Sequence, residues 1–207
     1  VAETEVDQPV EEQTTAAEAA LTMVIADAIM SQGDQSSDDS AFWTPILLGG
    51  PNLVLTQFLR HSTVIMWPEV APPTIRRAVD TSADVVMRRA AEIVAEGVPE
   101  MREADPVQRA ARVVTTAGRA SRAAIVGGRE SARFEVAKTV GAVYKVWRTR
   151  RDKRVRPTHG GLEGNRVPLN SEFITFEGNH LRFPRDPLAP LEETAECRCR
   201  LSYIIKD

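Results

Sequence analysis

The sequence predicts an α+β protein: a mainly helical N-terminal region followed by a small C-terminal α+β domain with a short antiparallel sheet. Three observations carry that expectation. As far as about Gly141 the apolar residues recur at helical spacing, with alanine and valine supplying much of the apolar content. From Val143 the period falls to two, as in a half-buried strand. Where the two regimes meet lies Lys145–His159 (K-V-W-R-T-R-R-D-K-R-V-R-P-T-H), the densest charge in the chain. The chain therefore divides into an acidic tail, helix and linker over 1–40, a helical region over 41–141, and a small α+β domain over 142–207 with lead-in helices from about 107.

At 207 residues the chain is long enough to bury a substantial core in one or two domains. Its 43% apolar content is ordinary and its 5% aromatic content low, a balance that favours closely packed helices. The net charge of −3 conceals a segregation. Residues 1–40 hold ten acids and no Lys or Arg, whereas Arg119–Arg156 holds twelve Lys or Arg against Glu130, Glu135 and Asp152. Such asymmetry points to an acidic partner for the basic half, either nucleic acid or an acidic protein surface. Two cysteines make no disulfide framework, no run approaches transmembrane length, and the acidic start lacks the basic region of a signal peptide. A soluble protein with no membrane association is expected.

Element by element, Val1 to about Thr14 reads as a mobile acidic tail. Thr15–Met30 reads as a helix with Ala16, Ala19, Ala20, Met23, Val24, Ala26 and Ile29 at helical spacing, and Ser31–Ser40 as a linker. Pro45, Gly49, Gly50 and Pro51 predict turns over Phe42–Pro51. Leu53–Met66 is predicted helical and ended by Pro68, and Thr74–Val98 is a strongly amphipathic helix. Asp105-Pro106 has the form of an N-cap with proline at the first helical position, opening a helix from Val107 to about Val126. Gly127-Gly128 is expected to close it, with a further helix from Arg129 to about Val140. Arg109, Arg112, Arg119 and Arg122 fall on one side of the helix, as a solvated face or a surface for an anionic partner. Val143–Arg148 reads as a strand with Trp147 in the core. Phe173–Phe176 and His180–Phe183 read as a hairpin about Glu177-Gly178-Asn179, Pro184–Glu196 as a loop, and Arg198–Ile205 as a last strand.

The chemistry-bearing residues gather in this last third. Cys197-Arg198-Cys199 on a strand would turn both sulfurs to one side, where they could share one tetrahedral metal, whereas a disulfide between them would be strained. Two further ligands would be needed for structural zinc, and His159 and His180 are the nearby candidates. The alternative is a pair of packed thiols. Asp152, Arg156 and His159 lie within eight residues. They read either as a general acid/base oriented by Asp152 with Arg156 holding an anion, or as a structural network around a turn. No nucleophile motif, phosphate-binding loop or zinc-hydrolase motif accompanies them, so no enzyme is expected. His61, at the polar edge of a helix, reads as structural. Arg148, Arg150, Arg151, Lys153 and Arg154 lack interleaved aromatics for base stacking but could contact phosphates.

Taken in order, these landmarks resemble the phage Mu F-like minor head protein family, also called phage head morphogenesis proteins. The resemblance runs from about Arg109 to Ile204. It rests on the Arg/Ala-rich lead Arg109-Ala110-Ala111-Arg112, on Lys145-Val146-Trp147-Arg148-Thr149, and on Asp152-Lys153-Arg154-Val155-Arg156 with His159 and Gly164. Phe183-Pro184-Arg185-Asp186-Pro187 and Glu196-Cys197-Arg198-Cys199 complete it. Glu196 departs from the pattern, which often has Asn before the first cysteine. The resemblance implies a structural domain defined by Trp147, Asp152, Arg156, His159, Cys197 and Cys199. It also implies a minor capsid protein, present in several copies inside the head near the portal vertex of a virion assembled in the bacterial cytoplasm. The implied partners are the portal protein, the major capsid protein and packaged DNA. A DNA-contacting module built on Arg148–Arg156, and a His-dependent hydrolase or nuclease, are the alternatives.

Overall fold

Helices dominate the chain as far as residue 139: α1 (Val10–Gln32), α2 (Ser40–Leu47), α3 (Gly50–Met66), α4 (Pro72–Glu103) and α5 (Pro106–Thr139). The computed structural model describes residues 3–4, 10–33, 36–67 and 69–205. Beyond α5 come β2 (Ala142–Arg148), α6 (Pro157–Gly160), β3 (Arg166–Pro168), β4 (Phe173–Ile174), β5 (His180–Leu181), α7 (Leu191–Thr194) and β6 (Arg200–Ile205). A short strand, β1 (Glu3–Thr4), precedes them all. The α+β class with a helical N-terminal region and a small antiparallel sheet is therefore as the sequence predicts.

Several boundaries differ, each for a physical reason. Within the expected tail, Glu3–Thr4 pairs with the sheet, while Val1, Ala2 and residues 5–9 lie outside the described residues. The helix expected from Thr15 begins at Val10, because Glu11, Glu12 and Gln13 propagate a helix and neither Gly nor Pro intervenes. The turns expected over Phe42–Pro51 are replaced by α2 and the start of α3. The Asp39 carboxylate accepts the Ala41 N–H at 2.8 Å and caps α2, and Pro51 falls in the first turn of α3, where its missing N–H is not needed. Burial of Trp43 and Leu47 outweighs the ladder bond lost at Pro45. Pro68, the expected stop of α3, lies outside the described residues.

The largest correction concerns Gly127-Gly128, which does not end a helix. A Cβ on Gly128 would lie 3.0 Å from a Leu59 methyl, and one on Gly127 would lie 3.4 Å from the Arg185 carbonyl oxygen. The two glycines bring α3 and the C-terminal module close against α5, and this packing outweighs a propensity cost of about 1 kcal/mol per glycine. The predicted cap of α5 is present: Asp105 Oδ1 accepts from the N–H groups of Val107 and Gln108 at 2.9 and 3.0 Å. Leu21, Ile25, Leu59, Val86, Val94 and Ile125 are among the side chains that close the apolar core of the helical part.

The sheet runs β1-β6-β2-β3, with every neighbour antiparallel, and β4 and β5 form a separate hairpin around Glu177-Gly178-Asn179. The hairpin strands are two residues long rather than four. β3 had no clear period to announce it, α7 interrupts the predicted loop, and β6 starts at Arg200 rather than Arg198. Trp147 faces Leu201 in the register of β2 on β6, and Lys145 faces Tyr203. A second apolar core forms here from Trp147, Phe173, Leu181, Phe183 and Tyr203, completed by Phe134 and Ala137 from the end of α5. Thus the C-terminal module borrows the last turns of the helix that leads into it. Among the described residues no helix is long and apolar enough to cross a membrane.

Lys145 shares the inward face of β2 with Trp147, as the period-two reading requires, and is fully buried. Its Nζ donates to the Arg182 carbonyl at 2.7 Å and lies 4.8 and 5.3 Å from the ring centroids of Phe134 and Phe173. Burial lowers its pKa from the ordinary 10.5 to about 8, although Asp186 pulls the other way. Because the folded pKa is depressed, the unfolded chain binds more protons between the two values, so Lys145 adds stability as pH rises from about 8 towards 10.5. Across that window the urea midpoint of the native chain should rise relative to that of Lys145→Met, the difference growing from about pH 8 towards pH 10.5.

Candidate metal centre

Three short segments of the C-terminal module meet at one imidazole. Pro157 opens α6 with its fixed φ and places Thr158 and His159 on the buried side. Leu191–Thr194, opening after Pro190, buries Glu193 and Thr194. Cys197 and Cys199 sit on the stretch leading into β6 rather than on the strand itself, which corrects the expected placement. Their approach is set by Glu196, whose φ of 52° turns the chain through the left-handed region immediately before Cys197.

His159 Nδ1 lies 3.4 Å from Cys197 Sγ and 3.7 Å from Cys199 Sγ. The three ligand atoms are all within 4.8 Å of one another. A tetrahedral zinc-sized ion with ordinary bond lengths would hold nitrogen and sulfur about 3.6 Å apart, so the observed separations bracket the required spacing. On the far side of the ring, His159 Nε2 is 3.0 Å from Glu193 Oε2, although off the line of a good hydrogen bond. Glu193 is itself fixed: Thr158 Oγ1 donates to Oε2 at 3.0 Å and Asn179 Nδ2 donates to Oε1 at 2.9 Å. A carboxylate behind an imidazole whose other nitrogen faces two sulfurs is the arrangement by which proteins orient a metal-ligating histidine. Trp147 closes the centre, its ring 5.2 Å from that of His159 and edge-on to it.

The thiols are unequal. A hydrogen bond from Cys199 holds Cys197 down to about 5 against the opposing effect of burial, with His159 assisting. The same contact, with burial, pushes Cys199 above its ordinary value. A thiolate beside an imidazole nitrogen is the donor set a divalent ion takes up. The group can hold a metal ion through His159, Cys197 and Cys199.

The remaining predicted residues fall into place around this centre or away from it. His180 does not join it: Leu181 points inward on β5, so His180 points outward, exposed, with Nδ1 2.8 Å from Glu172. Asp152 does not orient His159. Arg198 donates to it at 2.6 Å, and that hydrogen bond holds its carboxyl below the usual range. Arg156 binds the Ala195 carbonyl, tying α6 to the segment that leads into the cysteines, rather than holding an anion. Arg151 grips Glu163 through two nitrogens at 3.1 and 2.9 Å, Arg148 Nε is 3.3 Å from Ser202 Oγ, and Arg150, Lys153 and Arg154 are exposed. His61 stands exposed on α3. Glu193 is the residue the sequence reading missed. Its only local signal is the Pro190 start of a short helix, which does not say which of Glu192 and Glu193 turns inward.

The chain matches no family model, and neither a curated protein nor a solved structure shows significant similarity to it.

Left-handed backbone costs a side-chain-bearing residue about 1–2 kcal/mol, and Asn tolerates it best after Gly. Glu196→Asn should therefore raise the unfolding free energy by about 1 kcal/mol, read from urea midpoints.

Proposed function

We propose that the chain is a minor head protein of a tailed bacteriophage, docking at the portal or inner capsid and supporting head assembly and DNA packaging or delivery. One observation carries the reading. Trp147, His159, Cys197 and Cys199, landmarks of the family pattern spread over more than fifty residues, pack around a single centre, with Arg156 and Asp152 bonded to the segment that holds the cysteines. A scattered set would have supported no common domain. In this reading the centre is structural. Cys197 is buried and Cys199 half-buried against the module's own core. Zinc held by His159, Cys197 and Cys199 would fasten α6 to the approach to β6, with Glu193 setting the ring orientation.

A DNA-contacting role is the second reading, and Lys153 and Arg154 favour it. Both stand exposed at the tip of the turn between β2 and α6, whereas Arg151 and Arg156 are engaged within the module. Each lysine or arginine used on phosphate would steepen the salt dependence of binding.

Elemental analysis of protein purified with zinc available should give about one zinc per chain, falling to near zero in Cys197→Ser/Cys199→Ser. A metal-free native chain would remove zinc from the proposal. Imaging of intact particles from a host carrying the gene should place the chain at one vertex, and its absence from purified particles would overturn the head assignment. Within that experiment, Lys153→Glu/Arg154→Glu that still enters particles but loses DNA retention would single out the phosphate-contacting role.

A further inference from the structure

Away from the candidate metal centre, a groove of about 520 Å³ lies between α4, α5 and the loop around α7. Its floor is apolar, formed by Val86, Ile93, Val114 and Leu191, and Val114 is 59% exposed. Beside it Gly118 has open space where a side chain would stand, with no atom within 4 Å of an added Cβ. Along α5 the groove runs from Val114 to Ala123, about 14 Å at 1.5 Å per residue, the length of two to three helical turns.

The rim is basic. Arg89, Arg119, Arg122 and Arg185 line it against one carboxylate, Glu196. Arg89 is paired with Glu92 and Arg185 with the Cys197 carbonyl, and Arg122 reaches Glu18 at 3.5 Å and Glu196 at 4.0 Å. Arg119 is exposed and has no ion-pair partner among the described residues. An occupant complementary to this groove is a helix with an apolar edge and acidic charge.

The chain carries such a helix itself. No Lys or Arg precedes Arg60, and ten acids do. On α1, Met23 and Met30 are 73% and 58% exposed, two turns apart on one face. Between them on that face stands Asp27, exposed and likewise without an ion-pair partner among the described residues. The face is uncovered because Leu21, Ile25 and Ile29, on the other side of the helix, supply its packing within the chain. Methionine is the apolar side chain best suited to filling an irregular groove.

We propose that the groove between α4 and α5 receives the Met23–Met30 face of α1 from a second copy of the chain, with Asp27 set against Arg119. The mode is that of an amphipathic helix in a groove. A reciprocal contact closes a dimer, whereas a one-way contact gives a ring if its rotation closes and a filament if it does not. The proposal does not depend on the head assignment, since it rests on the chain's own surfaces.

Sedimentation equilibrium of the full chain over a range of concentrations tests it. The native protein should rise in mass above one chain. Arg119→Glu and Asp27→Arg should each weaken association by about tenfold, and the two together should restore it by re-forming the pair with its charges exchanged. Both positions are exposed, so circular dichroism should show unchanged helix content. Lys153→Glu, away from the groove, should associate as the native chain does. A chain that stays monomeric at millimolar concentration, or single variants that associate as tightly as the native protein, would overturn the proposal.

Discussion

The buried imidazole of His159 is the contact through which the C-terminal module coheres. One ring nitrogen faces two sulfurs and the other faces a carboxylate, while the ring edge meets Trp147. These partners come from β2, α7 and the approach to β6, none of which is long enough to be stable by itself. Hairpins of two-residue strands and one-turn helices have little cooperative strength. What fixes them is a buried polar centre: Glu193 is held by Thr158 and Asn179 and stands 3.0 Å behind the ring, so the position of His159 is set by the hairpin as well as by its own helix. The low dielectric of the site strengthens these contacts and makes any missing member costly.

Around that centre the backbone is bent against its preference. Among the described residues Arg151, Arg185 and Glu196 are the non-glycine residues with positive φ, and all three border the His159–Cys197–Cys199 cluster or its supports. Each is accompanied by a polar contact. Arg151 is locked to Glu163, Arg185 donates to the Cys197 carbonyl, and Glu196 stands 4.0 Å from Arg122. Such conformations persist only where neighbouring interactions over-determine them. Here the guanidinium groups that make the segment so basic act largely as internal ties, which is why the charge density of the sequence overstates the exposed positive surface.

How much of this could be read in the sequence depends on the range of the interactions involved. The amphipathic stripe of α4, the Asp105 cap, the alternation of β2 and the hairpin turn at Gly178 are local signals, and each names its element. The proximity of His159 to Cys197-Arg198-Cys199 was legible as a demand of ligand chemistry. Its companion was not: His180 and Glu193 are equally plausible by sequence distance, and only the pleat of β5 and the short turn of α7 decide between them. The continuity of α5 through Gly127-Gly128 was illegible for the same reason, because the compensating contacts come from Leu59 and Arg185, 69 and 58 residues away in the chain. Long-range packing overrode local propensity at Gly127-Gly128 and at Pro45, whereas the early start of α1 and the Asp39 cap of α2 are local signals.

The strand order β1-β6-β2-β3 places β6 between two partners that precede it in the chain. During synthesis, β1 and β2 leave the ribosome with the slot between them empty, and β2 carries an exposed edge until Arg200–Ile205 emerges. The helical part needs nothing from β6 to bury its apolar core, so it can consolidate first while the sheet waits. Cys197 and Cys199 directly precede that strand, so its pairing with β2 and the approach of the thiols to His159 belong to one closure of the module.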